Sequence, residues 1–125
     1  MKTDIQTEQD IRTLVDGFYA KVRQDAVIGY IFNEVANVDW PHHLPTMYAF
    51  WATVLLAKEG YKGNAILKHV QLHVKTPLLK AHFDRWLELF TQTVDENFSG
   101  LTADTAKIRA ASIATVLQIK IAHTA

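Results

Sequence analysis

The amino-acid sequence predicts a single all-α domain over residues 1–125. Apolar residues recur at intervals of three and four along most of the chain, which places them on one face of an α-helix. No run of five residues alternates between apolar and polar as a half-buried strand would, and we find no internal repeat or linker. The hydrophobic content of 49% is enough for one core around one bound group.

Two helices are predicted in the N-terminal half. The first begins after Thr7, a suitable N-cap residue. Its apolar stripe consists of Ile11, Leu14, Val15, Phe18, Tyr19 and Val22. Segment 27–32 is too short for more than a turn or two of helix. Because proline lacks an N–H and suits the first helical turn, Pro45 predicts that the second helix begins near His43 or Leu44. The apolar face of this helix consists of Met47, Phe50, Trp51, Val54 and Leu55.

Three further helices are predicted in the C-terminal half. A short one over 65–72 is followed by the most strongly periodic helix of the chain. The apolar residues of that helix are Leu79, Phe83, Trp86, Leu87, Phe90, Val94 and Phe98. Ser99 and Gly100 end it, and Thr102 is the expected N-cap of an alanine-rich last helix that runs to about Ile121. This last helix carries Ile108, Ile113, Val116, Leu117 and Ile119.

Composition narrows the chemistry that is available. Thirteen basic residues balance thirteen acidic ones and no basic patch is found, so we expect neither nucleic acid nor an anionic membrane as a partner. No apolar run suits a signal peptide or a membrane span, which predicts a cytoplasmic protein. The absence of cysteine excludes disulfides, thiolate catalysis, iron–sulfur clusters and thiolate-bound zinc. A metal would have to be held by histidine, by carboxylates or within a cofactor.

Six histidines raise the question of such a metal. His42 and His43 are adjacent, so they point about 100° apart on a helix and at most one of them faces inward. His69 and His73 have the spacing of a two-histidine zinc site, but no glutamate follows His69 to act as a general base. Only Asp39 with His42 approaches the Glu-x-x-His pattern of a di-iron bundle. Haem remains, because it brings its own equatorial ligands and needs one imidazole from the protein.

A haem pocket also needs aromatic walls and a few polar donors. Phe18 and Phe32 are candidate walls, Tyr19 and Trp86 are aromatic residues with a polar group, and His43 begins a predicted helix. Each of these residues, taken alone, is equally well explained as part of a helical core.

The order of motifs along the chain resembles that of the truncated haemoglobins. The matching motifs are FY at 18–19, IF at 31–32, W-x-x-H at 40–43, FW at 50–51, YKGN at 61–64, KHVQL at 68–72 and HFDRWLELF at 82–90. The resemblance covers nearly the whole chain. It is closest to the third group of the family, which, like this sequence, lacks the paired-glycine motifs of the other groups and carries Trp at the position of Trp86. It implies a globin-like, truncated two-over-two helical sandwich with haem b as its cofactor.

The resemblance also implies roles for individual residues. Tyr19 and Trp86 match the distal tyrosine and tryptophan, His43 the residue that controls access to the distal side, and His69 the proximal ligand of the iron. The residues expected to contact the cofactor are Phe18, Phe32, His43, Met47, Trp51, His69 and Trp86. The segment after His69 is longer than its family counterpart, so His73 stays open as an alternative proximal ligand.

The expected function is binding of O2 or another diatomic ligand such as nitric oxide. Hydrogen bonds from Tyr19 and Trp86 to the ligand would slow its release, each contributing about 1–2 kcal/mol. Redox turnover of O2, nitric oxide or peroxide would also need a reductase as a partner, and the sequence leaves it open. Two alternatives remain at this point: a haem-free all-α interaction module, and a protein that binds zinc through His69 and His73.

Overall fold

The structure is a computed structural model that describes residues 2–58, 69, 71–73 and 76–124. In this part of the chain the long helices are α1 (Glu8–Gln24), α2 (Trp40–Leu56), α3 (Lys80–Asn97) and α4 (Leu101–Thr124). A π-helical turn, Ile31–Val35, follows α1, and residues 69 and 71–73 are helical as well. No strand occurs among the described residues, and the all-α prediction is confirmed.

Helix α1 is the centre of the fold, and its sequence explains why. Thr7 accepts a hydrogen bond from the Asp10 N–H at 3.1 Å while the Asp10 carboxylate accepts one from the Thr7 N–H, so both residues cap the helix reciprocally. The predicted N-cap is therefore confirmed. All six residues of the predicted stripe are buried. Helix α1 packs on α2, and α3 packs on α4. These two pairs of helices contact each other through α1 and α3.

Helix α2 begins earlier than the sequence predicted. The expected start near His43 or Leu44 is wrong, because the helix already begins at Trp40 and contains Pro45 in its interior. Pro41 occupies the first turn, where a missing N–H costs nothing, and the N–H of His43 donates to the Asp39 carbonyl at 2.8 Å.

Ring contacts explain why α2 tolerates an internal proline. Pro45 lacks the N–H that a helix interior uses, which is destabilising by itself. Trp40 in the first turn lies 5.3 Å from the Tyr19 ring and is stacked on Phe32 at 6.3 Å, measured between ring centroids. These tertiary contacts hold the start of α2 against α1 and the π-helical turn. His43 is consequently placed within a packed helix.

The N-terminus of α4 is capped by a residue from the opposite end of the sequence. The prediction that Thr102 is its N-cap is wrong, because the helix already begins at Leu101. The Asp4 carboxylate accepts hydrogen bonds from the N–H groups of Thr102 at 2.9 Å and Ala103 at 2.8 Å. Gly100 has a φ of +146°, and a Cβ atom there would lie 2.5 Å from Asp4 Cγ. Glycine is therefore required for this close approach.

Helix α4 turns its small residues inward. Its buried residues are Ala103, Ala106, Ala110, Ala114, Leu117 and Ile121. By contrast, three larger apolar residues of this helix are exposed: Ile108, Val116 and Ile119. Alanine side chains allow the backbones of α3 and α4 to approach closely, so the buried side of α4 depends on fit as well as on hydrophobicity. Among the described residues, no helix combines the length and the apolarity needed to cross a membrane.

Candidate functional site

An aromatic cluster joins α1 to α3 around Phe18. The Phe18 ring is buried, and its centroid lies 4.8 Å from that of Tyr19 and 5.6 Å from that of Trp86. Phe90 packs edge-on against the same ring at 5.2 Å. Tyr19 on α1 and Trp86 on α3 therefore lie beside one phenylalanine, although they are 67 positions apart in the sequence.

Tyr19 extends this cluster to α2 and the π-helical turn. Its ring centroid is 5.3 Å from that of His43, with an interplanar angle of 81°, and 6.0 Å from that of Phe32. Three of the residues predicted to be polar groups of a distal site, Tyr19, His43 and Trp86, thus belong to one continuous set of ring contacts. Phe18 contacts both Tyr19 and Trp86, and Phe32 contacts Tyr19; their role as walls of a haem pocket stays a prediction.

Burial determines the protonation of the tyrosine. Tyr19 is 6% exposed, and burial raises the pKa of its hydroxyl above the ordinary value of 10. The hydroxyl is therefore protonated at every physiological pH and available as a donor. His43 is half-buried, with its Nε2 atom shielded from solvent. The site is consequently an apolar environment with a small number of hydrogen-bonding groups, in which such bonds are stronger than in water.

The apolar face of α2 continues the site past His43. Met47, one turn further along, is half-buried, as are Phe50, Val54 and Leu55. Trp51 is buried and stacks on Phe90 of α3 at 4.7 Å, with 22° between the rings. Trp51 therefore supports the α2 wall from the core side, and its expected contact with a cofactor stays a prediction.

The two candidate proximal histidines, His69 and His73, both lie in the short helical segment before α3. His69 is helical and half-buried. His73 is half-buried too, and its Nδ1 atom accepts a hydrogen bond from the backbone N–H of Leu78 at 2.9 Å. The motif YKGN and residues Lys68 and Val70 of the motif KHVQL lie outside the described residues.

One ion pair beside the aromatic cluster was not predicted from the sequence. The side chain of Asp25, at the end of α1, is only 4% exposed, and Arg85 of α3 donates to Oδ1 from Nε at 2.8 Å and from Nη2 at 2.6 Å. Desolvation acts to raise the pKa of the Asp25 carboxyl, but the hydrogen bonds from Arg85 and from the backbone N–H groups of Ile28 and Val27 outweigh it and lower the pKa. No local pattern connects two residues 60 positions apart. The pair fixes α3 against α1 next to Trp86.

Comparison with known proteins identifies the fold. The sequence model of the bacterial-like globin family matches residues 3–120. The Group 3 truncated hemoglobin ctb of Campylobacter jejuni subsp. jejuni serotype O:2 (strain ATCC 700819 / NCTC 11168) is 33% identical over 98 residues, which cover 76% of this chain and 75% of that protein. This chain belongs to the bacterial-like globin family. The crystal structure of group III truncated hemoglobin from Campylobacter jejuni matches with a TM-score of 0.84 at 30% identity, covering 97% of this chain and 95% of that one.

The predicted resemblance to truncated haemoglobins of the third group and the globin-like fold are thus confirmed. Haem binding and diatomic ligands follow from membership of the globins. Among the described residues, no group of three or more histidines and carboxylates is arranged to hold a bare metal ion.

The donor set of this globin fits haem. The half-buried apolar face of α2 and the Phe18 cluster would pack against an apolar macrocycle, and a histidine would supply an imidazole to its iron. Tyr19 and Trp86 add an O–H and an N–H within the same cluster.

Proposed function

We propose that this globin binds O2, or another diatomic ligand such as nitric oxide, at the iron of haem b, with His69 as the proximal ligand. Haem supplies an iron that takes an imidazole on one side and a small ligand on the other. The observation that carries the proposal is that two residues with hydrogen-bond donors, Tyr19 and Trp86, both contact one buried ring, Phe18. The apolar surroundings favour an uncharged diatomic ligand. The two donors stabilise those ligands that carry partial negative charge when they are bound.

Tyr19 is the principal donor in this proposal. Its hydroxyl stays protonated because burial raises its pKa. A hydrogen bond in a buried site contributes about 1–2 kcal/mol, which corresponds to a decrease in the rate of ligand release of roughly 5- to 30-fold. Trp86 can only donate, since indole has no acceptor atom. Together the two residues favour slow release, which suits sensing, scavenging or redox use of the ligand better than its delivery.

His43 controls access in the same proposal. It lies in the first turns of α2, edge-on to Tyr19, with its Nε2 shielded from solvent. Rotation of this side chain would open a path along α2 to Tyr19 without moving the helix. We therefore expect changes at His43 to alter the rate of ligand entry more than the rate of release.

The hydrogen bond of His73 argues against that residue as the proximal ligand. A backbone N–H is always a donor, so Nδ1 of His73 uses its lone pair to accept from Leu78. A neutral imidazole has one such lone pair, and its other nitrogen then carries the proton. To bind iron, His73 would have to give up this hydrogen bond. The same reasoning argues against zinc binding by His69 with His73.

Spectroscopy of purified protein tests the cofactor. The haem-loaded chain should absorb strongly near roughly 400 nm, as haem proteins do. His69→Gly should lose haem, or keep it only when imidazole is added, whereas the matched variant His73→Gly should keep a nearly unchanged ferrous spectrum. Loss of haem from His73→Gly alone would move the proximal ligand to that residue. A chain that stays colourless after addition of hemin would instead support the haem-free interaction module.

Ligand kinetics test the distal residues separately. Tyr19→Phe keeps the ring and removes the hydroxyl, so haem should remain bound while O2 dissociates faster in stopped-flow measurements. Unchanged dissociation in both Tyr19→Phe and Trp86→Phe would contradict the distal assignment without affecting the proximal one. A reaction that consumes electrons would require a reductase as a partner, so ligand binding is the function proposed here.

A further inference from the structure

Helix α4 carries an apolar stripe on its outer side. The structure describes seven exposed large hydrophobic residues, and four of them, Leu101, Ile108, Val116 and Ile119, lie on this helix with exposed fractions of 84%, 65%, 45% and 51%. At 100° per residue they all point within about 40° of the direction of Ser112, which is exposed as well. These four residues, called the α4 stripe below, form one continuous strip opposite the alanine face that packs in the core.

We propose that the α4 stripe binds the α4 stripe of a second copy of this chain, with the two helices antiparallel and a twofold axis at Ser112. A twofold interface must be self-complementary, since residue i meets residue j and residue j meets residue i. Two pairs of positions around Ser112 have this property. Ile108 and Val116 lie four positions on either side of it, and Asp104 and Lys120 lie eight positions on either side. Apolar residues would thus face apolar residues near the axis, with opposite charges further out.

The geometry of helix packing brings those charges together. Asp104 and Lys120 project about 80° to opposite sides of the α4 stripe, so strictly parallel axes would leave them on opposite edges of the interface. Crossing at about −50°, the commonest packing angle of helices in globular proteins, moves each Asp104 towards the partner's Lys120. A small residue at the crossing point lets the axes approach to roughly 8–10 Å, and Ser112 is such a residue.

The charges around the stripe are compatible with this pairing. The Asp104 side chain is 66% exposed, and its nearest ion pair, with Lys107, is long at 3.7 Å. Lys107 itself makes a shorter ion pair with Asp95, at 2.7 Å. Lys120 is exposed. The formal net charge of the chain is zero, so two copies do not repel each other. An interface built mainly on one helix is small, and a transient dimer with a micromolar dissociation constant is expected.

Analytical ultracentrifugation of the full haem-loaded chain tests the proposal. Over roughly 1–500 µM, a range that covers transient dimers, the sedimentation coefficient should rise from that of a monomer to that of a dimer. Ile108→Glu and Val116→Glu should each remain monomeric with unchanged circular dichroism. Leu79→Glu is the matched control, because Leu79 is 55% exposed but lies at the start of α3, and this variant should dimerise normally. A native chain that is monomeric throughout, or a dimer that survives both α4 variants, would overturn the proposal.

A charge exchange tests the antiparallel arrangement itself. Asp104→Lys and Lys120→Asp should each weaken dimerisation by roughly tenfold, since each places like charges together at both ends of the interface. Mixed in equal amounts, the two variants should dimerise about as well as the native chain, because every charged pair is then opposite again. The double variant should recover as well. Dimerisation that does not recover in the mixture would exclude this twofold pairing.

Discussion

Asp4 should stabilise the globin fold by capping a helix that begins almost one hundred residues later. Its carboxylate accepts hydrogen bonds from two N–H groups in the first turn of α4 and one from its own neighbour, Ile5. Replacing an N-cap acceptor with alanine costs about 1 kcal/mol, and loss of a negative charge at a helix N-terminus costs about 0.3–1 kcal/mol. We therefore expect Asp4→Ala to lower the free energy of unfolding by about 1–2 kcal/mol.

Urea unfolding followed by helical circular dichroism measures this change, in samples matched for haem content. With a slope of about 2 kcal/mol per molar urea, the midpoint should fall by roughly 0.5–1 M. Asp39→Ala is the matched control, because Asp39 precedes α2 but makes no capping hydrogen bond through its side chain. If Asp4→Ala destabilised the chain no more than Asp39→Ala does, the capping argument would be refuted.

The capping contribution should also depend on pH. Partial desolvation acts to raise the pKa of Asp4, but the hydrogen bonds from the backbone N–H groups of Thr102, Ala103 and Ile5 outweigh it, so the folded pKa lies below the ordinary value of 3.8. A lowered carboxyl pKa stabilises the fold above the pKa of the unfolded chain, and this stabilisation is lost as the pH falls through the folded pKa. The advantage of the native chain over Asp4→Asn should accordingly be complete at neutral pH, begin to decrease near pH 3.8 and vanish once the pH is below the folded pKa.

Three further substitutions give distinct results. Trp86→Phe removes an N–H and some volume from the Phe18 cluster, so calorimetry should show a loss of roughly 1–3 kcal/mol together with faster ligand release in flash photolysis. Tyr19→Phe, by contrast, should change ligand release with little loss of stability, and equal losses in both variants would contradict separate roles. Gly100→Ala should destabilise the chain more than a surface substitution does, as judged by its urea midpoint, because the new Cβ would meet Asp4 at 2.5 Å and the backbone has a φ of +146°.

The features predicted correctly from the sequence are those that depend on nearby residues. Helix α1 has its cap, its periodic stripe and its end within one stretch of sequence, and the predicted Thr7 cap and all six buried positions are confirmed. Helix α2 shows where such reasoning fails. Pro45 by itself disfavours the interior of a helix, but the contacts of Trp40 with the rings of Tyr19 and Phe32, 21 and 8 positions away, stabilise a helix there. A prediction from neighbouring residues does not include those contacts.

The same distinction applies to α4 and to the site. The Asp4 cap of α4 spans 98 positions, and the helix buries alanines while exposing Ile108 and Ile119, so hydrophobicity alone does not identify its buried side. The residues of the distal cluster, Tyr19, His43 and Trp86, came from resemblance to a family. Tyr19 and Trp86 both contact Phe18, and His43 contacts Tyr19, but periodicity alone could not have separated these residues from ordinary core residues. The hydrogen bond that argues against His73 as the proximal ligand joins it to Leu78, and no sequence pattern reveals it.

The ion pair between Asp25 and Arg85 has a consequence for how this chain can vary. A carboxylate that is 4% exposed is strongly destabilising once its partner is removed, and an arginine without that carboxylate loses two hydrogen bonds. Replacing either residue alone is therefore destabilising. We therefore expect the two positions to change together among relatives, exchanged as a unit for an apolar pair or for the reversed charges. Because Arg85 precedes Trp86, such a joint exchange would also shift the indole, so variation at position 25 should be accompanied by altered ligand release.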